Sequence, residues 1–135
     1  VRSTLQGPGP ATALVLDAGA IIALERGDAF FRAVLARATE HHMPLIIPAG
    51  VLAQTWRGSP QQARLGRLLK DPSVELAVLD GPTARAVGIL CGKSGHPDVV
   101  DVHVALAAKE QGAAIVTSDP GGIASIDPRL RLIQV

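Results

Sequence analysis

The chain has 135 residues, 47% of them apolar, which is enough for one domain with a core of ordinary size. A formal net charge of +1 provides no global field for a polyanion or an anionic membrane, so any such partner must be held by a local site. Tyr is absent and aromatics are 2%, which argues against RNA modules that stack bases on exposed aromatic platforms and leaves the phosphate backbone as the better handle for nucleic acid.

In chain order, "VRSTLQGPGP" (1–10) has no apolar core of signal-peptide type and reads as a disordered leader, with a single domain expected over 11–135. Five short runs rich in Val, Leu and Ile follow at 12–17, 44–48, 74–80, 113–119 and 130–135, each bounded by Pro, Gly or Asp. Helical apolar spacing fills the gaps, over 19–27, 28–42, 48–58, 60–70, 81–95 and 98–112. Gly27, Gly58, Gly95 and Gly112 follow helical runs, and Pro60 and Pro82 suit first turns. Strands alternating with helices predict a three-layer α/β/α domain on a mostly parallel sheet of about five strands. The single cysteine, Cys91, excludes an internal disulfide, and no stretch reaches membrane-spanning length, so a cytoplasmic protein is expected.

Parallel sheets bind ligands outside the carboxyl ends of their strands. Asp17 closes the first predicted strand, Asp119 the fourth, and Asp98 and Asp101 open the helix that returns to the fourth, so all four aspartates are expected on one rim. Unit charges about 4 Å apart repel by roughly 4 kcal/mol at an effective dielectric near 20, so such a cluster calls for a shared cation. With oxygen the only plentiful donor and no zinc-type His/Cys spacing, Mg²⁺ or Mn²⁺ is the natural candidate, and both suit phosphodiester hydrolysis.

"LVLDAGAIIALERGD", "VLAQTWRG" and "DVVDVHVALAAKEQGAAIVTSDP" resemble, in order and spacing, the motifs of PIN-domain ribonucleases, in particular the VapC-type toxins of type II toxin–antitoxin modules. The resemblance implies metal-dependent endoribonuclease activity, a VapB-like antitoxin that silences it, and a homodimer. It assigns metal coordination and catalysis to Asp17, Asp101 and Asp119, with Asp98 as an auxiliary acid. Thr117 and Ser118 stand where they could orient a carboxylate. Gln54 occupies a position where many PIN domains have glutamate, so a neutral oxygen replaces a charge. That substitution leaves a second reading, a PIN-like binding module weakened in catalysis by a metal-poor site. A further departure is "DPGG", where Gly121 and Gly122 predict a flexible, uncharged loop after Asp119.

Among the cations, Arg57 is the best candidate for an RNA phosphate, ahead of Arg26, Arg64, Arg67 and Lys93. Glu25 reads as a solvated helix end. His41, His42, His96 and His103 are expected to lack partners, with His103 pointing away from Asp101. The apolar residues of 20–38 predict core packing, with room between two helices for a groove that takes a partner helix or a second copy.

Overall fold

The structure, a computed structural model, describes Ser3, Thr4 and residues 11–135. The leader expected at 1–10 lies outside the described residues except for Ser3–Thr4, whose backbone forms a two-residue strand, β1. Then follow β2 (Leu14–Leu16), α1 (Ala18–Glu25), α2 (Ala29–Glu40), β3 (Leu45–Pro48), α3 (Ala49–Thr55), α4 (Ala63–Leu69), β4 (Val74–Ala77), α5 (Gly81–Ser94), α6 (Val99–Gln111), β5 (Ala114–Thr117), α7 (Pro120–Ile126) and β6 (Arg131–Gln134). A 3₁₀ turn at Pro60–Gln62 leads into α4.

The sheet order is β1-β6-β5-β2-β3-β4, with five parallel strands and β1 antiparallel against β6. Helices on both sides make it a three-layer α/β/α domain. Every residue of β2, β3 and β5 is buried, which is why these strands read as continuous apolar runs and not as alternations. The edge strand β4 has a half-exposed pattern, and Leu76, Val78 and Leu79 are open to solvent.

From β2 the chain steps outward through β3 to β4, then crosses back to β5 and outward again to β6. The topological switch point, where a parallel sheet opens a crevice, therefore lies between β2 and β5. Their register pairs Leu16 with Val116, so Asp17 emerges beside Thr117. The Asp17 amide fixes the placement by donating to the Val116 carbonyl at 3.2 Å.

Helix α6 packs on β2, β3 and β5 and is flanked by α5 and α7. Covered on several sides, it buries Val102, His103, Val104, Ala105, Ala107 and Ala108 almost without interruption. The four glycines expected to end helices all have positive φ, between 61° and 72°; Gly27, Gly95 and Gly112 follow α1, α5 and α6 directly, as left-handed termination requires, whereas α3 already ends at Thr55 and Gly58 turns the loop beyond it. One expectation fails. "DPGG" is not a loop but the start of α7, with Pro120 in its first turn and the Asp119 carboxylate accepting from the Gly122 amide at 3.1 Å. Pro and the cap fix the first turn, and buried Ile123 and Ile126, three apart, pin the rest, which outweighs the low helix propensity of Gly121 and Gly122.

Candidate active site

Asp17 is 8% exposed at the N-terminus of α1. Its Oδ1 accepts from the Ala20 amide at 3.1 Å, and its carboxylate also accepts from the Gly19 amide and the Thr117 hydroxyl. Burial raises its pKa above the ordinary 3.8, the hydrogen bonds pull the other way, and the nearby charge of Asp101 adds a smaller upward push. The two acids are therefore near enough for their charges to interact, although they are 84 positions apart in sequence.

Thr117, fully buried at the end of β5, serves two acids at once. Its Oγ1 donates to Asp17 and accepts from the Asp119 amide at 2.9 Å. Asp119 itself is exposed and caps α7. Asp98 is likewise exposed and caps α6, with Oδ1 accepting from the Val100 and Asp101 amides at 2.9 and 3.2 Å. Among the described residues no three His, Cys, Asp or Glu side chains stand close enough to hold one ion. Ser118 is exposed and lies against Gly19, where a Cβ would come within 2.8 Å of the Ser118 backbone nitrogen. Gly19 is thus needed for close approach of α1 to β5. Gly19→Ala is expected to destabilise the fold by about 2 kcal/mol or more, read as a lowered midpoint in urea, and an unchanged midpoint would mean the contact is soft.

His96, expected to be without a partner, is a member of the site that sequence reasoning missed. Its Nε2 lies 3.1 Å from Asp101 Oδ2 and its Nδ1 lies 3.3 Å from Ser125 Oγ on α7. Ser125 Oγ in turn donates to the Gly122 carbonyl at 2.6 Å, and the Gly122 amide is the one capped by Asp119. A chain of contacts results, from Asp17 through Thr117, Asp119, α7 and His96 to Asp101. The histidine immediately before the "PDVVD" cap was the only sequence signal. His96→Ala should cost about 1 kcal/mol in urea unfolding, the value of one missing hydrogen bond, and His96→Gln should recover part of it. Equal losses in both variants would show that the contact to Asp101 contributes nothing.

Other placements are mixed. His103 is 3% exposed with Nδ1 unpaired among the described residues, and burial lowers its pKa while Glu110 raises it less. It faces the core, as its position two after Asp101 predicts. Glu25 is not a solvated end: it is half-buried, and its Oε1 accepts from Gln62 Nε2 at 2.7 Å. The cause is the 3₁₀ turn, which folds Gln62 back over the end of α1. Gln54 is exposed on α3, whose start touches α6 where Gly50 packs against Val100. Arg57 is exposed, with Nη1 donating to the Ala53 and Trp56 carbonyls at the end of α3. Of the apolar residues in 20–38, Ile21 and Phe31 are core and Ile22 is exposed.

A parallel sheet with an aspartate at its switch point, within electrostatic reach of a second aspartate on the helix that crosses to the next strand, defines an α/β/α protein with an acidic crevice. The chain belongs to the PIN domain family, whose profile matches residues 14–127. Its fold is similar to that of VapBC2 from Rickettsia felis bound to a DNA fragment from its promoter, at 17% identity and a TM-score of 0.68, covering 90% of this chain and 98% of that one. It is similar also to FitAcB from Neisseria gonorrhoeae, at 16% identity and a TM-score of 0.62, covering 90% and 96%, and to FitAB bound to an IR36 DNA fragment, at 15% and 0.64, covering 90% and 94%. No curated protein matches the chain. No helix among the described residues is long and apolar enough to cross a membrane.

Proposed function

We propose that this chain is a metal-dependent endoribonuclease toxin, cytoplasmic and neutralised by a VapB-like antitoxin. The observation that carries the reading is Asp17, buried at the switch point and within electrostatic reach of Asp101, with neither acid paired to a Lys or Arg among the described residues. An oxygen donor set with uncompensated negative charge fits a hard divalent ion, and Mg²⁺ typically uses one or two carboxylates and fills its remaining positions with water and substrate oxygens. When bound, such an ion supplies electrostatic stabilisation to a phosphodiester under attack by water.

The chain's own residues do the positioning. Asp17 and Asp101 would hold the ion, and Asp98 and Asp119 would add negative field from the two caps beside them. Thr117 fixes the Asp17 carboxylate, His96 holds Asp101 Oδ2, and Asp101 Oδ1, which makes no hydrogen bond to a described residue, is left for the ion. Ser118 lines the same strand end, and Arg57 is the candidate phosphate contact. The antitoxin reading draws support from the toxin–antitoxin assemblies that share the fold. Exposed Leu76, Val78 and Leu79 at the β4 edge offer an apolar surface to the second copy of a homodimer.

RNA cleavage with Mg²⁺ or Mn²⁺, with and without chelator, tests the reading, and cleavage indifferent to chelator would reject it. Gln54→Glu is expected to tighten Mg²⁺ binding several-fold by calorimetry, since it restores a charge on α3. Unchanged or weaker binding would place Gln54 outside the ion's surroundings.

A further inference from the structure

Away from the acid pair, three arginines line a cavity of about 220 Å³ where the end of α1, the start of α2 and helix α4 meet. Arg32, Arg64 and Arg67 surround it over a floor formed by Leu24 and Phe31. Two of the guanidinium groups are already tethered. Arg64 Nη1 donates to the Glu25 carbonyl at 2.8 Å and Arg32 Nη2 to the Gly27 carbonyl at 3.0 Å. Gly27, at φ +67°, lets the Arg64 group lie flat against the backbone, since a Cβ there would stand 3.2 Å from both Nη atoms.

The first tether caps the last carbonyl of α1 and the second holds the turn that follows it, yet each uses one of the five N–H donors a guanidinium carries. The remaining donors are held in place at little entropic cost, which suits forked recognition of an oxyanion. The one acid lining the cavity, Asp28, caps α2 through the Phe31 amide at 2.8 Å, and three cations against one acid leave a local surplus that the +1 of the whole chain conceals.

We infer that this cavity is a phosphate subsite for the RNA backbone, flanking the bond that is cut. The inference rests on the nuclease reading for its substrate. Helix α1 links the two places: Asp17 caps its start and the cavity sits at its end, roughly 12 Å away for eight residues at 1.5 Å rise. A strand whose scissile phosphate lies at Asp17 can carry a phosphate further along the backbone to the arginines, and a polyanion spanning both gains from each.

The test uses the full chain carrying Asp17→Asn, so that RNA is bound but not cut, with a short fluorescein-labelled single-stranded RNA of mixed sequence followed by anisotropy over a salt series. Arg32→Gln with Arg67→Gln should weaken binding about tenfold at low salt and flatten the slope of log K against log salt by roughly 0.7 for each phosphate no longer neutralised. Arg64 is left in place to keep its cap on α1, and Arg67→Glu, at an exposed position, is a second variant in case the first melts early. RNA binding and slope unchanged in both variants would overturn the subsite. So would intact RNA binding accompanied by abolished binding of a poly-glutamate peptide, which would make the cavity a protein-docking site. If the variants weaken RNA binding as expected while the wild type fails to cleave RNA with metal, the cavity stands as an RNA-phosphate site, and the nuclease reading falls together with the place beside a cut bond.

Discussion

Asp17→Asn is expected to abolish RNA cleavage, by about a hundredfold or more, and to leave the protein at least as stable as the wild type at neutral pH. The two effects have one cause. Burial raises the pKa of Asp17, so its charged form costs folding energy that an amide does not, and asparagine caps a helix as well as aspartate does. Because the folded pKa lies above the unfolded 3.8, the folded state holds the proton more tightly. Asp17 therefore favours folding most at pH below that value, and its contribution declines as pH rises through the raised folded pKa.

The variant lacks that decline, so the stability difference between the two proteins should open between these limits and then level off. Asp71, Asp80 and Asp127 work in the opposite sense. Hydrogen bonds from Ser73, Thr83 and Arg129 lower their pKa values, so what they contribute is present above 3.8 and disappears as pH falls through the lowered values. They are common to both proteins and cancel in the difference. Urea midpoints measured from pH 3 to about 8 would check it, and a variant that kept cleavage, or was less stable at neutral pH, would contradict the assignment.

Gln62→Leu should be the most damaging single change away from the acids, costing about 3 kcal/mol. Gln62 is 6% exposed and uses its whole hydrogen-bonding capacity. Oε1 accepts from the Arg57 and Gly58 amides at 2.6 and 3.1 Å, and Nε2 donates to the Thr55 carbonyl at 2.6 Å and to Glu25 Oε1 at 2.7 Å. One side chain thereby closes the end of α3, sets the loop that carries exposed Trp56 and Arg57, and ties it to the end of α1. Leucine fills much of the same volume but leaves two amides, a carbonyl and a carboxylate without partners.

Trp56 is the only tryptophan, so its fluorescence reports the loop directly during urea unfolding. Gln62→Glu sets a carboxylate against Glu25 and should be worse at pH 7 than at pH 4. A destabilisation below about 1 kcal/mol for Gln62→Leu would mean that water replaces the amide.

Much of the frame is legible in the sequence. The five apolar runs are the five parallel strands, and the stops at Gly27, Gly95 and Gly112 follow from position alone, because a left-handed residue after a helix selects glycine wherever it occurs, whereas α3 ends three residues before Gly58. Asp17 and Asp101 were reachable too, since strand ends and a crossover helix return to one edge of a parallel sheet by topology. What could not be read was anything set by the meeting of remote side chains. Nothing adjacent in sequence shows that His96 touches Asp101 while leaning on Ser125, or that Gln62 saturates itself between α1 and α3. "DPGG" misled because local propensity favours a loop, whereas Pro120, the Asp119 cap and two buried isoleucines together favour a helix.

The sequence by itself thus determined the alternation of strands and helices and the rim on which the acids fall, since both follow from short-range periodicity and the handed connections of a parallel sheet. Only the tertiary structure decided which carboxylates interact and which serve as caps. That outcome depends on burial and on partners far along the chain, and folding creates both.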